Sequence, residues 1–375
     1  MSDIIISKKN EVYLKIISEP HVAHELSDQF TFDIPGAKYM PQYRNRHWDG
    51  KIRLFNLQKG EIYAGLLDKI VSFCKNHNYD YKFEDSKFYG TPFEVNDMIS
   101  MEGVKDYMNA ISKIPPRTYQ IEGVYDALRH NRRLLISPTA SGKSLMIYSL
   151  VRYFAEQKKK TLIVVPTTSL VEQMSKDFVS YGWDADSYCS KIYAGRDKEV
   201  DTPVVITTWQ SIYKLPKIYF EKFEVVIGDE AHQFKAKSLT TLMSKMHKCK
   251  FRIGFTGTLD GANVNQLVLE GLFGRCSKVT KTNELIKQGY LAKLSVKIIL
   301  LKHEDQLFEG YQDEIDYLVE HEGRNKFIRN LAVDLKGNTL VLFNYVDRHG
   351  IPLYNLINSH TDKPVYLVHG GVDVE

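Results

Sequence analysis

The sequence lacks what several large classes of protein need. It has no apolar run of roughly 18 residues, so no membrane-spanning helix is expected. Its opening residues, "MSDIIISKKNEVYL", mix acid with base and lack the apolar core of a secretory leader. Cysteine is scarce. Cys74, Cys189, Cys249 and Cys276 lie far apart with no C-x-x-C pair, so neither a zinc site nor a disulfide framework is indicated, and a reducing cytoplasm fits. No repeat or low-complexity tract occurs. Charge of one sign is also weak, at net +4 over 375 residues, so any case for a nucleic-acid partner must come from local patches. What remains is an ordinary globular composition, 43% apolar and 26% charged, long enough for two or three cores.

Residues 1–95 read as a small α+β domain. Short strands ("IIIS", "EVYLKII", "KIRLFN") accompany one amphipathic helix over 64–76, which sets Leu66, Leu67, Ile70, Val71 and Cys74 on one face. Residues 96–116 end in Pro115-Pro116 and read as a linker. From 117 to 290, apolar runs ("RLLIS", "TLIVVP", "PVVITT", "FEVVIG", "FRIGFT") alternate with amphipathic helices. The runs are continuous rather than alternating, which predicts a parallel sheet covered on both faces. From 291 to 375, "SVKIILL", "TLVLFNY" and "PVYLVHG" predict strands of a second α/β domain, expected to be incomplete because too few strands precede Glu375.

Two stretches carry chemistry. In "LLISPTASGKS" a strand runs through a loop into a helix, the arrangement that aims backbone N–H groups at phosphate. Pro138, Thr139, Ala140, Ser141 and Gly142 form the loop. Gly142 allows close approach, Lys143 would reach the β- and γ-phosphates, and the Ser144 hydroxyl would ligate Mg²⁺. Ser137 stands where the pattern has its first glycine, a position that need only leave the strand, and Ala140 fits if its φ is negative. A chance GKS at a helix start is the plain alternative. In "FEVVIGDEAHQF" a buried strand ends in two acids. Asp229 would hold Mg²⁺, and Glu230 would position and deprotonate the attacking water. An acid pair capping the next helix is the plain alternative here.

D-E-A-H after P-T-x-x-G-K-S resembles the superfamily 2 helicases and translocases, and further motifs follow in that family's order. The resemblance implies RecA-like, P-loop NTPase domains, and a coupling role for His232. It implies that Gln120 of "RTYQ" reads the adenine edge, with Arg117 or Tyr119 packing against it. Thr167 and Gln173 of "VVPTTSLVEQM", with Thr207, Thr208 and Gln210 of "ITTWQSI", would touch the nucleic-acid backbone. Thr256, Gly257 and Thr258 of "GFTGTL" would link the ATP site to the strand path. "VLFNY" and "LVHGGVD" resemble the openings of a second lobe.

More narrowly, "YRNRHWDGKIRLFN", "GLLDKIVSFCKNHNY" and "VVPTTSLVEQMSKDFVSYG" resemble the UvsW-type phage helicases. That implies ATP and Mg²⁺ as cofactors and branched DNA (forks, Holliday junctions, R-loops) as substrate. It also implies a monomer in the host cytoplasm, serving phage recombination, repair or replication restart. Two departures stand out. Many relatives have glycine where Ala140 stands, and the motifs that carry the arginine finger have no match up to Glu375. An ATP-gated DNA-binding protein without efficient turnover is therefore one rival. An RNA helicase is another. A restriction-type translocase is a third, disfavoured because no nuclease-like carboxylate cluster with E-x-K is evident.

The last candidate is the stretch 38–59. Lys38, Arg44, Arg46, Lys51, Arg53 and Lys59 face Asp49 alone, interleaved with Tyr39, Tyr43, His47 and Trp48. Cations among stacking rings suit a DNA backbone and exposed bases, with Arg44, Arg46, Trp48, Lys51 and Arg53 as contacts. A strand pair with a solvated basic face and Trp48 in its core is the alternative. The run Lys158–Lys160 suits the negative end of a helix dipole and needs no ligand.

Overall fold

The computed structural model describes residues 2–34, 36–193, 195, 201–259, 263–303 and 306–370. The chain divides into two compact units, Met1–Lys293 and Leu294–Glu375.

The first unit opens with β1 (Ile4–Lys8), β2 (Tyr13–Ser18), α1 (Pro20–Gln29), β3 (Thr31–Asp33), α2 (Pro41–Arg44), β4 (Lys51–Arg53), β5 (Phe55–Asn56), β6 (Glu61–Tyr63), α3 (Leu67–Asn76) and β7 (Tyr81–Glu84). Five of these strands form a sheet in the order β5-β6-β2-β1-β7, while β3 and β4 pair separately. Alternation does the sorting: Ile4, Ile6, Leu14 and Ile16 point inward, as do Leu67, Ile70, Phe73 and Cys74 of α3.

Next come α4 (Met101–Ile111), α5 (Thr118–His130), β8 (Arg132–Ile136), α6 (Lys143–Glu156), β9 (Thr161–Val165), α7 (Thr168–Ser180), α8 (Ala185–Tyr188), β10 (Cys189–Ile192) and β11 (Val204–Thr208). They are followed by α9 (Trp209–Ile212), α10 (Lys217–Phe220), β12 (Val225–Gly228), α11 (Lys237–Lys245), β13 (Phe251–Thr256), α12 (Asn263–Phe273), β14 (Cys276–Lys278) and α13 (Thr282–Lys287). The seven strands β8–β14 make one all-parallel sheet, ordered β10-β11-β9-β12-β13-β8-β14. Both faces are covered, as the continuous apolar runs require. Along β9, Ile163 and Val165 join a core with α4–α7, while Leu162 and Val164 join a second core with α11, α12 and the N-terminal elements.

Residues 96–116, read as a linker, contain α4. Ser100 caps it by accepting from the Gly103 N–H at 3.1 Å, and Val104 and Met108 are buried against α5 and α6. The N-terminal layer is likewise built in. Leu14 and Phe73 share a core with Phe273. The Arg132 guanidinium donates to the Glu11 carboxylate at 2.6 Å and to its carbonyl at 2.7 Å. A Cβ on Gly65 would stand 2.0 Å from the Glu270 carbonyl oxygen, so only glycine permits this approach of the two layers.

The second unit holds α14 (Tyr311–Glu320), α15 (Glu322–Asp334) and α16 (Ile351–Asn358), the last preceded by a π-helical turn, Val346–Gly350. The expected strands do not form among its described residues. "SVKIILL", "TLVLFNY" and "PVYLVHG" have no ladder partner, and Ile298, Leu300, Leu340, Leu342 and Tyr366 are exposed. An apolar run is only a strand when a neighbour takes its backbone N–H and C=O groups. The "LVHGGVD" stretch falls partly outside the described residues.

Candidate nucleotide site and nucleic-acid face

Strand β8 delivers the chain to the loop 137–142, and α6 starts directly behind it. The Ser137 N–H donates to the Thr256 carbonyl at 2.8 Å. The Ser137 and Ser141 hydroxyls meet at 2.6 Å, and the Ser141 hydroxyl donates to the Pro138 carbonyl at 2.6 Å. Where the usual pattern has a flexible glycine, this loop has a buried hydroxyl clasp, and the sequence gives no signal of it beyond the serine pair. Gly142 is left-handed at φ 79°, where glycine is at ease. Ala140 is left-handed too, at φ 62°, against the negative φ expected for it. The loop must reverse between Pro138 and Lys143, and the reversal imposes a conformation that costs alanine about 1–2 kcal/mol.

Beside the loop, β12 ends in the acid pair. The Lys143 ammonium lies 3.5 Å from a Glu230 carboxylate oxygen. The Glu230 N–H donates to the Asp229 carboxylate at 3.0 Å. Asp229 is partly buried, and withdrawal from water pushes its carboxyl above the ordinary range. The Glu230 charge adds to this, while the Glu230 N–H, Lys143 and His232 oppose it. Glu230 itself is left-handed, φ 48° and ψ 49°, a strained backbone of the kind that clusters at working sites. The Thr256 hydroxyl donates to the Thr258 carbonyl at 2.8 Å, so toward His232 Nδ1, 3.1 Å away, it accepts. Nδ1 therefore carries the proton, and it also lies 3.3 Å from the Glu230 carboxylate. A Cβ on Gly257 would stand 3.6 Å from both the Lys143 ammonium and the Thr139 nitrogen. Lys143, Asp229, Glu230, His232 and Thr256–Thr258 thus form one cluster around the loop.

Among the described residues no group of three or more His, Cys, Asp or Glu side chains could hold a metal alone. Asp229 is the hard oxygen donor of this cluster, and the Ser144 hydroxyl follows Lys143 directly in the chain; such donors fit Mg²⁺ sharing ligands with phosphate rather than a protein-only cage. The Ser144 side chain lies near Asp177 and Tyr181 of the α7 region. Asp177 was not singled out from the sequence, and its carboxyl is raised by burial.

The "RTYQ" residues fasten onto the loop. Buried Gln120 donates from Nε2 to the Ser141 carbonyl at 3.0 Å and the Gly142 carbonyl at 3.3 Å, and its Oε1 accepts from the Arg117 N–H at 2.8 Å. Tyr119 donates to the Ser141 carbonyl at 2.8 Å and accepts from Arg117 at 2.8 Å.

The backbone-contact candidates separate. Thr167 caps α7, accepting from the Leu170 N–H at 3.3 Å, and is exposed, as is Gln173. Gln210 is exposed as well. Thr207 is fully buried and donates to the Ile192 carbonyl at 2.9 Å, so its side chain cannot reach a nucleic acid. Thr208 is buried too and pairs with the Ser211 hydroxyl at 2.9 Å. Both were expected to touch the backbone; a continuous β11 places them inside the sheet instead.

The basic stretch lies on α2, β4 and the loop between them. Arg44, Arg46 and Lys51 are exposed, and Tyr39 and Tyr43 stand beside them in solvent. Arg53 is paired with Asp49, and that guanidinium holds the Asp49 carboxyl down at about 2. Trp48 is half-buried, its indole N–H donating to the Lys51 carbonyl at 2.9 Å, and it is not among the core residues.

Comparison with known proteins agrees with this geometry. A family model described as "DNA helicase UvsW, N-terminal" matches residues 3–84, and one described as "Type III restriction enzyme, res subunit" matches 113–261. The ATP-dependent DNA helicase uvsW of Enterobacteria phage T4 is 33% identical over 386 residues, spanning 100% of this chain and 76% of that protein. A DNA 3'-5' translocase of Sulfurisphaera tokodaii is 26% identical over 64% of this chain and 53% of its own length. Two crystal structures of the phage T4 UvsW helicase align with TM-scores of 0.65 and 0.66, at 34% and 31% identity. The first covers 74% of this chain and 99% of that one, and the second 99% and 75%. With the loop, the acid pair and the N-terminal layer all matched, the chain belongs to the UvsW family of helicases.

Proposed function

We propose that the chain is an ATP-driven DNA helicase acting on branched DNA, as a monomer, in the cytoplasm of a phage-infected cell. The observation that carries this is the continuous path from Lys143 through Glu230 and His232 to Thr256. It joins the phosphate end of the site to the segment that leads away from it. The loop N–H groups and Lys143 hold the triphosphate and meet the charge that develops on it. Asp229 and Ser144 are the residues that would hold Mg²⁺, and the ion would supply neutralisation of phosphate charge. Glu230 takes the proton of the attacking water on its carboxylate. A change of charge at Glu230 is felt at His232 Nδ1, and through it at Thr256. The exposed cations of α2 and β4, with Gln173, Thr167 and Gln210, are the surfaces offered to DNA. No helix among the described residues is long and apolar enough to cross a membrane.

The test is ATP hydrolysis with linear, forked and four-way DNA, and with RNA, alongside strand-separation assays. Hydrolysis stimulated by branched DNA and coupled to strand movement supports the proposal. ATP-dependent DNA binding without turnover, or stimulation by RNA alone, sinks it.

A further inference from the structure

One aromatic contact at the nucleotide site belongs to no motif read from the sequence. After β8, the chain returns to the same strand from its far side. β14 pairs with β8 in parallel, Cys276 opposite Leu134 and Lys278 opposite Ile136, and the Val279 N–H donates to the Ile136 carbonyl at 2.9 Å. From there α13 runs with Leu285 fully buried. It ends in a Schellman turn: Gly289 is left-handed at φ 76°, its N–H donates to the Ile286 carbonyl at 3.1 Å, and the Tyr290 N–H donates to the Leu285 carbonyl at 2.9 Å. The turn fixes where Tyr290 leaves the helix. Its ring is 48% exposed, so it does little for the core. It lies against the Arg117 guanidinium, whose Cζ is 3.8 Å from the ring centroid. Arg117 is also held at its edge by Tyr119, and its N–H by Gln120. Arg117 stays partly exposed, and a planar cation packed on one face by a ring and gripped at one edge is a group suited to stacking.

We propose that Tyr290 is a positioning residue for the base end of the nucleotide, holding the Arg117 guanidinium flat as the platform on which adenine stacks. This rests on the nucleotide reading given above. The contact is a cation–π pair at a half-exposed site, whose worth corresponds to about a fivefold change in affinity. The platform touches the base and not the phosphates. Loss of the ring therefore weakens ATP and leaves tripolyphosphate untouched, whereas a general disturbance of the loop weakens both.

The experiment measures equilibrium binding of Mg·ATP and Mg·tripolyphosphate, with KM and kcat for DNA-stimulated hydrolysis, for the unmodified chain, Tyr290→Ala and Tyr290→Phe. Tyr290→Ala is expected to raise the Kd and KM for ATP about fivefold, change kcat less than twofold and leave tripolyphosphate binding unchanged. Tyr290→Phe keeps the ring and is expected to restore the original values. Tyr290→Ala in an Arg117→Ala background should add nothing further. Failure of the unmodified chain to bind ATP would remove the nucleotide reading and this inference with it. ATP binding by the unmodified chain, with unchanged affinity in Tyr290→Ala or with equal losses for ATP and tripolyphosphate, overturns the inference alone.

Discussion

Replacing Ala140 by glycine should stabilise the protein, although glycine usually does the opposite. At φ 62° alanine pays a steric penalty of about 1–2 kcal/mol that glycine avoids. Against this stands the larger freedom of glycine in the unfolded chain, about 0.4–1 kcal/mol. The difference leaves a gain of roughly 0.5–1 kcal/mol, or a Tm about 1–3 °C higher for a unit of this size. Gly142→Ala is the matched opposite. It meets the same left-handed penalty, and its Cβ would stand 2.4 Å from Gln120 Nε2, displacing the bonds to the Ser141 and Gly142 carbonyls. Together these cost about 2–4 kcal/mol, a fall in Tm on the order of 5–10 °C. Thermal unfolding followed by circular dichroism, with each variant run beside the unmodified chain, reads both signs. A drop of more than about 1 °C for Ala140→Gly would refute the argument, because it would mean the loop stores no strain at that residue.

Three other outcomes follow from the same geometry. Glu230→Gln should keep ATP binding and lose at least about a hundredfold in turnover, whereas Lys143→Ala should lose both; wild-type hydrolysis by Glu230→Gln removes the assigned base. Burial raises the Asp229 carboxyl, so its contribution is fully favourable below the unfolded carboxylate range and is lost as pH climbs through the raised folded value. Asp229→Asn, inactive in hydrolysis, should therefore melt higher than the unmodified protein at pH 7, with the advantage shrinking toward pH 4; an equal or lower Tm at pH 7 contradicts this. Neutralising Arg44, Arg46, Lys51 and Arg53 together should flatten the dependence of log K for forked DNA on log salt. The change expected is about 3 phosphate contacts rather than 4, because Arg53 already faces Asp49, a slope change of roughly 2–3. An unchanged slope in a folded variant shows that DNA does not use this face.

The layout of the candidate site was legible because it resides in residue types whose spacing is fixed by the elements that carry them. Strand, loop and helix around Lys143, and the buried strand before Asp229, follow from local pattern alone. The backbone sign at Ala140 did not, since it depends on how far the loop must turn, and nothing in "PTASG" states that distance. Thr207 read as a contact because its neighbours match a motif. Only the packing over β11, buried along its whole length, shows that its side chain is enclosed. In the second unit, "SVKIILL" and "TLVLFNY" carry the right propensity, but pairing is a property of two segments and cannot be read from one. Tyr290 left a faint trace, the glycine closing a helical pattern in "LIKQGYLAKL", yet its guanidinium partner lies far away in sequence.

The glycine contact at Gly65 and the core shared by Leu14, Phe73 and Phe273 also set how force would travel. A domain on a flexible tether trails behind whatever drives it, and much of each stroke is lost in taking up slack. Here β4 of the basic face packs through Ile52 against the core that the N-terminal layer shares with the parallel sheet. On the proposed function, that face acts as a lever rather than a trailing hand: a small rotation of the sheet sweeps the cations through an arc set by their distance from the pivot, and the bound duplex is carried with them.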